Sequence, residues 1–229
     1  MTVHLNHFEP HAEILTRAES TSADFAGGSL YRSRVKRGLD LLLVVIATPL
    51  ILPLVALLAF MIWRDGGRPF YCQRRIGRNG RPFWMWKLRS MVPDADALLD
   101  GHLAANPTAR AEWETTQKLA NDPRITRLGC FLRRSSLDEL PQLWNVLRGD
   151  MSLVGPRPMM PSQQMLYPGV AYYRLRPGIT GFWQISRRNL SSFASRAKFD
   201  AAYERRMSFG TDLRVLLGTV RVVLACTGR

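Results

Sequence analysis

The sequence contains few cysteines and few histidines. Its three cysteines, Cys72, Cys130 and Cys226, are widely spaced and form no C-x-x-C pair, so neither a disulfide framework nor a zinc site is indicated. Three of the four histidines precede residue 12, which leaves His102 as the only histidine in the body of the chain. This distribution disfavours a histidine base or metal cluster, and the cysteine usage is consistent with a reducing compartment.

Acidic residues are also scarce. Eighteen Asp and Glu residues stand against 32 Lys and Arg residues, which gives a formal net charge of +14. Such a balance indicates an anionic partner, but the sequence has no zinc-finger, helix-turn-helix or aromatic RNA-binding signature. The arginines cluster beside an apolar run and within motif-like segments. We therefore expect anionic membrane lipids and a diphosphate substrate as partners, and no nucleic acid.

Charge is absent altogether from Leu41 to Trp63. One helix of this length can cross a hydrocarbon core of roughly 30 Å. The run begins too far from Met1 for a cleaved signal peptide, and a core helix this apolar would need protein on every side. The run is therefore predicted to be a permanent membrane anchor.

Two prolines divide this run, and basic residues flank both of its ends. Pro49 and Pro53 each remove a helical hydrogen bond and favour a bend. Both flanks favour the cytoplasmic face, whereas a single crossing normally has one more basic side. We predict a re-entrant helix-break-helix that enters one leaflet and returns, with an ordinary single span as the alternative. The flanking residues are Arg32, Arg34, Lys36 and Arg37 before the run, and Arg64, Arg68, Arg74, Arg75 and Arg78 after it.

The remaining chain is sufficient for one domain of ordinary size. We predict a flexible tail over residues 1–32, the re-entrant membrane helix over 33–64 and a catalytic domain over 65–229. The expected fold is mixed α/β and helix-rich: a small cytosolic domain with interfacial amphipathic helices. Residues 73–91 are predicted to form two strands around a glycine turn, residues 93–121 to be mainly helical, and residues 122–126 to form a loop.

The segment from Ser136 to Pro158, SLDELPQLWNVLRGDMSLVGPRP, carries the strongest chemical signal. Ser136 and Glu139 have the spacing of a helical capping box, and Pro141 suits an early helical position. An apolar face is predicted for Leu140, Leu143, Trp144 and Leu147, and Arg148-Gly149 for the end of the helix.

This helix start would place Asp138 and Glu139 at the positive end of the helix dipole. That end favours ionised carboxylates, the form required of a nucleophile or a magnesium ligand. Acids in a first helical turn also occur simply because they cap it, and that alternative stays open.

A second basic segment ends in Lys87 and Arg89, two residues apart on one face of a predicted strand. Two cations on one face can bind a phosphate. A solvated basic strand close to lipid is the alternative.

Several ordered motifs together resemble the bacterial sugar transferase family. These enzymes are the monotopic phosphoglycosyl transferases that start exopolysaccharide, O-antigen and glycoprotein glycan assembly. The resemblance covers about residues 33–229. The motifs are Lys36-Arg37-x-x-Asp40, Lys87-x-Arg89-Ser90-Met91, Leu137-Asp138-Glu139-Leu140-Pro141-Gln142, Gly149-Asp150-Met151-Ser152, Gly155-Pro156-Arg157-Pro158 and Arg176-Pro177-Gly178-Ile179-Thr180-Gly181.

The resemblance implies a two-step transfer from a UDP-sugar to undecaprenyl phosphate. Asp138 would be the nucleophile that holds a phosphosugar covalently after UMP leaves, and Glu139 would position Mg²⁺ or the nucleophile. Both acids would serve as metal ligands. Substrate phosphates would bind Lys87, Arg89 and Arg157. Asp212 resembles a late acidic position of the family and is assigned to substrate binding, with an N-cap of the terminal helix as its alternative.

The longer stretch from Ala97 to Asp122 resembles the subgroup that transfers hexose 1-phosphates. UDP-galactose is favoured as donor, then UDP-glucose. The protein would lie in the bacterial inner membrane with its catalytic domain facing the cytoplasm, and a homodimer is left open. Ser186-Arg187-Arg188-Asn189 departs from the family, which commonly has glycine before the arginine. A membrane-anchored scaffold of polysaccharide assembly without catalysis is the alternative function.

Overall fold

The computed structural model describes residues 30–116, 119–186 and 193–224. Its helices are α1 Lys36–Arg64, α2 Ala95–Ala105, α3 Pro107–Thr116, α4 Arg127–Ser135, α5 Gln142–Arg148, α6 Ala171–Arg174, α7 Phe182–Ile185, α8 Arg196–Arg206 and α9 Phe209–Leu224. Its strands are β1 Phe70–Ile76, β2 Pro82–Leu88, β3 Ser152–Val154 and β4 Gly178–Thr180. Short helices of other types occur at Tyr31–Val35 (π), and at Arg78–Gly80, Leu137–Glu139 and Pro161–Leu166 (3-10). The predicted mixed, helix-rich class is confirmed.

Helix α1 is 29 residues long and continues through Pro49 and Pro53. Within the described chain it is the one helix long and apolar enough to cross a membrane, and only 11% of its most apolar stretch is buried. A core helix would be largely covered by protein, so this exposure supports the predicted anchor. The break expected at the prolines is not seen as an interruption of helical structure, since a proline can bend a helix without ending it. The return to the same membrane face stays a prediction.

The described chain forms two compact units that alternate along the sequence. The first unit comprises the described residues within 1–49, 72–85 and 142–221, and the second those within 50–71, 86–141 and 222–229. The chain passes from one unit to the other within α1, β1, β2 and α9, and also between Pro141 and Gln142.

In the first unit, the short strands β3 and β4 pair in parallel, with Ser152 opposite Gly178 and Val154 opposite Thr180. The two chains approach too closely for side chains. A Cβ atom on Gly155 would lie 2.3 Å from the Arg176 carbonyl oxygen, and one on Gly178 would lie 2.1 Å from the Gly155 nitrogen. The glycines of two of the sequence motifs therefore permit this pairing.

Three clusters of buried apolar side chains fill the first unit. One surrounds Tyr172 and Tyr173, another packs Val44 of α1 against Val146 and Met151, and a third surrounds Tyr203 and Val215. The start of α1 is thus part of a packed core, although its middle is exposed.

In the second unit, Leu58 and Ile62 of α1 pack with Leu88 of β2 and Leu132 of α4. Ser90 follows β2 and lies against α4: its carbonyl carbon and oxygen leave no room for a Cβ atom on Gly129, and its Oγ accepts a hydrogen bond from Arg133 at 2.9 Å. Strand β2 and helix α4 are therefore fixed in relation to each other, which positions the residues described next.

The sequence prediction of a capping box at Ser136 is wrong. Ser136 caps the C-terminus of α4 instead: its φ is +58°, and its N–H contacts the carbonyls of Leu132 and Arg133. Because the amphipathic α4 extends to Ser135, Ser136 terminates this helix in the left-handed conformation. Asp138 and Glu139 consequently lie in the 3-10 turn Leu137–Glu139, and α5 begins at Gln142.

The apolar face predicted for α5 is also partly wrong. Trp144 is 54% exposed, whereas Gln142, Asn145 and Val146 are buried. The Asn145 amide donates to the Trp84 carbonyl at 2.7 Å, so its burial is compensated. Its own carbonyl accepts from the N–H groups that follow α5. The buried face of α5 thus combines apolar packing of Val146 with the hydrogen bonds of Asn145, and a hydrophobic pattern does not register the latter.

Candidate active site

The acids Asp138 and Glu139 share one lysine in the second unit. The Lys87 Nζ atom lies 2.8 Å from Glu139 Oε1 and 3.6 Å from Asp138 Oδ2. Asp138 is 8% exposed. The side chains of Lys87 and Glu139 are 18% and 17% exposed. The sequence-predicted catalytic acids are therefore brought together with one of the predicted phosphate-binding cations.

This arrangement rests on the packing of neighbouring apolar residues. Lys87 precedes the buried Leu88 near the end of β2, and Leu137 precedes Asp138 in the 3-10 turn. Leu88 and Leu137 belong to the same apolar cluster as Leu132. Because successive residues of a strand point to opposite sides, burial of Leu88 directs Lys87 the other way, toward the acids. The cluster holds the two elements in this relation.

Two ionised carboxylates one residue apart repel each other, and the ammonium group between them offsets that repulsion. Lys87 thus offers both acids one cationic partner in a largely buried position. An anionic aspartate is a competent nucleophile toward phosphorus, provided that the charge of the phosphate is also offset.

The acids also fit the requirements of magnesium. The described residues contain no group of three or more His, Cys, Asp or Glu side chains that could hold a metal ion. A magnesium site does not require three such side chains. Magnesium is commonly held by one or two carboxylates, and waters and substrate phosphates complete its coordination shell. Asp138 and Glu139 supply two carboxylates, so this donor set suits a magnesium ion that arrives with a phosphate substrate.

Arg89 has a different environment from Lys87. It donates from Nη1 to the Gly66 carbonyl at 3.1 Å and from Nη2 to the Ile62 carbonyl at 3.3 Å. These acceptors lie at the C-terminal end of α1, where a cation is favoured by the helix dipole. The contacts stabilise the end of the anchor helix. The phosphate-binding role predicted for Arg89 stays a prediction.

Arg157 lies in the first unit, in the proline turn that follows β3. The turn is held by bonds from the Gly155 N–H to the Thr180 carbonyl and from the Gly178 N–H to the Pro156 carbonyl, each 2.8 Å long. The Arg157 guanidinium carbon lies 5.9 Å from the centre of the Trp183 ring. The cation predicted from sequence is therefore carried by a rigid turn and lies beside an aromatic ring.

Asp212, also in the first unit, lies in the first turn of α9 and is 6% exposed. It accepts hydrogen bonds from Tyr31 and Lys36, each at 2.6 Å, and from Tyr203 at 2.7 Å. Burial, followed by the Asp212 charge, raises the pKa of Tyr203, so that hydroxyl stays a donor. The N-cap alternative is wrong, because the Ser208 hydroxyl accepts from the Thr211 N–H instead.

The Lys36-Arg37-x-x-Asp40 motif has a structural role at the start of α1. Asp40 accepts from the Ser152 hydroxyl at 2.6 Å, and Arg37 donates to the carbonyls of Val146 and Leu147. Together with the contact between Lys36 and Asp212, these bonds fix the start of the anchor within the first unit. The substrate-binding role of Asp212 stays a prediction.

Two further polar residues near Arg157 were not identified from the sequence. Arg196 lies over the rings of Trp183 and Phe193, at 4.2 and 4.6 Å. The Gln184 side chain is buried. A buried glutamine beside a glycine turn has no distinctive sequence signal, and the arginine begins a helix far along the chain. The departure noted at Arg187-Arg188-Asn189 lies outside the described residues.

With this geometry in place, the class of protein can be assigned from known relatives. The family model described as bacterial sugar transferase matches residues 31–226. The chain is 47% identical over 196 residues to a UDP-galactose-lipid carrier transferase of Erwinia amylovora. It is 45% identical to the exopolysaccharide production protein ExoY of Rhizobium meliloti and 44% identical to an undecaprenyl-phosphate galactose phosphotransferase of Salmonella typhimurium, each over 196 residues.

The chain belongs to the bacterial sugar transferase family. These matches cover 84–85% of it. They cover 87% of ExoY but only 41% of the Erwinia and Salmonella proteins. The chain thus spans about two fifths of the length of those two longer relatives. The resemblance found in the sequence motifs is confirmed.

Proposed function

We propose that this protein transfers a hexose 1-phosphate from a UDP-hexose to undecaprenyl phosphate and so initiates exopolysaccharide synthesis. The observation that carries the proposal is the pair Asp138 and Glu139 bridged by Lys87. It occurs in a chain whose relatives are named as lipid-carrier and undecaprenyl-phosphate sugar transferases. Galactose is the favoured hexose, since both names include it, and glucose is the second candidate.

In the first step, an Asp138 carboxylate oxygen attacks the phosphorus atom that bears the sugar. The bond from this phosphorus to the oxygen bridging the two phosphates breaks, and that oxygen leaves with UMP. Asp138 then holds the hexose phosphate as an acyl phosphate. Lys87 offsets negative charge as the carboxylate and the phosphate approach each other.

In the second step, a phosphate oxygen of the lipid attacks the same phosphorus. The bond between Asp138 and phosphorus breaks, which restores the carboxylate and yields a lipid-linked diphosphate sugar. Glu139 shares Lys87 with Asp138 and helps to position the nucleophile. A magnesium ion held by these acids would add positive charge at the substrate phosphates.

UMP release from a panel of UDP-sugars tests this function. We expect the full chain in nanodiscs, with magnesium and undecaprenyl phosphate, to release UMP fastest from UDP-galactose, then from UDP-glucose, and slowest from UDP-N-acetylglucosamine. Discrimination between epimers depends on a few hydrogen bonds, so the order reports on the sugar pocket. If no donor yields UMP, the proposal fails and the non-catalytic scaffold is favoured.

The membrane arrangement is proposed to be re-entrant, with the catalytic residues on the cytoplasmic face of the inner membrane. Single cysteines at Leu30 and Asp65, which bracket α1, test it in a variant whose native cysteines are serines. Because basic residues flank both ends of α1, we expect both cysteines to react with an impermeant maleimide in inverted membrane vesicles and neither to react in spheroplasts. Reaction of one site in each preparation would establish a single crossing.

A further inference from the structure

In the first unit, two arginines lie close to the Trp183 ring, and a third arginine and a buried carboxylate act electrostatically on one of them, Arg196. Arg196 lies over this ring and Arg157 lies beside it. Arg75 of β1 donates to the carbonyl of Pro158, the residue after Arg157, at 3.2 Å. The carboxylate is Asp200, which is 6% exposed and accepts from the Tyr167 hydroxyl at 2.8 Å.

The Arg196 charge is opposed by two neighbouring arginines and favoured by one carboxylate, Asp200. Burial first, and then the Arg157 charge, lower the pKa of Arg196 to about 10. Burial raises the pKa of Asp200 to about 7, so this carboxylate is only partly ionised near neutral pH. Mutually repelling guanidinium groups in a half-buried position are a common arrangement where an anion binds between them.

The Arg196 side chain is also oriented for such a role. It lies over two aromatic rings, Trp183 and Phe193. Stacking of this kind engages the faces of the guanidinium and leaves its N–H edge for hydrogen bonds. Its Nε atom is buried and has no hydrogen-bond partner in the described part of the chain.

The buried side chain of Gln184 is a second, independent indication of a ligand. It is 7% exposed, and within the described residues neither its Oε1 nor its Nε2 atom has a hydrogen-bond partner. Leaving a buried amide unsatisfied is costly, so folded proteins rarely do so without a ligand or water. A Cβ atom on Gly181 would lie 2.1 Å from the Gly155 carbonyl oxygen and 3.0 Å from Gln184 Oε1. The Gln184 amide therefore lies beside the turn that carries Arg157.

We propose that Arg157, Arg196 and Gln184 form a phosphate-binding site beside Trp183, with Arg75 as a supporting cation. Phosphate binding is already predicted for Arg157. The proposal adds Arg196, Gln184 and Arg75, to which no role was assigned above. The inference rests on the proposed function for the identity of its ligand. Two sources carry the same chemistry: the diphosphate of the UDP-sugar and the phosphate of the lipid.

Binding to the full chain in nanodiscs, without turnover, tests the site. The ligands are UDP, uridine and farnesyl phosphate, and the variants are Arg196→Gln and Gln184→Leu. The matched control is Arg205→Gln, which removes an exposed arginine from the same helix. We expect Arg196→Gln to weaken the binding of a phosphate ligand by tenfold or more, and the control by less than about twofold, because an exposed charge contributes little.

Gln184→Leu separates binding from folding. Removal of an unsatisfied buried amide should leave the midpoint of thermal unfolding unchanged or raise it, while phosphate binding weakens by about tenfold. A purely structural glutamine would change stability alone. A fall in both stability and affinity for Arg196→Gln would leave Gln184→Leu as the deciding variant.

The ligands identify the source of the phosphate. Weaker UDP binding with unchanged uridine binding assigns the site to the sugar nucleotide, and weaker farnesyl phosphate binding assigns it to the lipid. The proposal would be overturned if the variants lost equal affinity for UDP and uridine, or lost no more affinity than the control. If the chain releases no UMP from any donor yet these affinities change as expected, the proposed function fails and the phosphate site stands.

Discussion

Replacing Asp138 by asparagine is expected to lower the rate of UMP release by about 10³-fold or more, because the neutral amide is a far weaker nucleophile. The change preserves the shape of the side chain. It also leaves Glu139, at 2.8 Å, as the partner of Lys87, so the turn should keep its structure. The measurement is UMP release under single-turnover conditions in nanodiscs.

Asp100→Asn is the control for this variant. Asp100 is an exposed acid on α2, in the same unit as Asp138, and its replacement removes the same charge. UMP release by this control should stay within about twofold of the unmodified chain, as expected for an exposed position. Retention of more than about a tenth of the rate by Asp138→Asn would exclude Asp138 as the nucleophile.

Replacing Lys87 by methionine is expected to lower the same rate by about 10²–10³-fold. Methionine keeps the apolar stem and removes the charge that both acids share. The carboxylates then repel each other and the incoming diphosphate. We also expect a loss of about 1–3 kcal/mol in the free energy of unfolding, because a largely buried carboxylate loses its hydrogen bond.

Two comparisons separate these effects. Lys198→Met removes an exposed lysine from α8 and should change neither the rate nor the stability. Lys87→Arg keeps the charge and should recover the stability with part of the activity. A Lys87→Met protein with the full rate of UMP release, or one whose lost rate returns entirely at a temperature where it is fully folded, would show that Lys87 only supports the fold.

Elements that depend on local sequence were predictable. Helix α1 follows from an apolar run, the β1 and β2 strands follow from two short segments around a glycine turn, and α9 is the expected terminal helix. The pair Asp138 and Glu139 was identified because it lies in a recognisable motif. In each case the signal lies within one continuous segment.

Features that depend on distant residues were not predictable. Ser136 has the spacing of an N-cap, but α4 uses it as a C-cap. The role of Lys36 depends on Asp212, which lies 176 residues away. The three-residue strands β3 and β4 are too short to show an alternating pattern, and their pairing depends on a close approach of glycines. Such contacts are decided by packing in three dimensions.

The central claim is that Asp138 carries the hexose phosphate during transfer. The most direct measurement incubates the full chain in nanodiscs with UDP-galactose radiolabelled at the sugar-linked phosphate, without undecaprenyl phosphate, and follows label on the denatured protein. We expect up to one label per chain, mapped to the peptide containing Asp138, absent in Asp138→Asn and discharged when the lipid is added. Formation of labelled lipid product by a protein that never carries label, with UMP released only after lipid addition, would contradict the claim and indicate direct transfer.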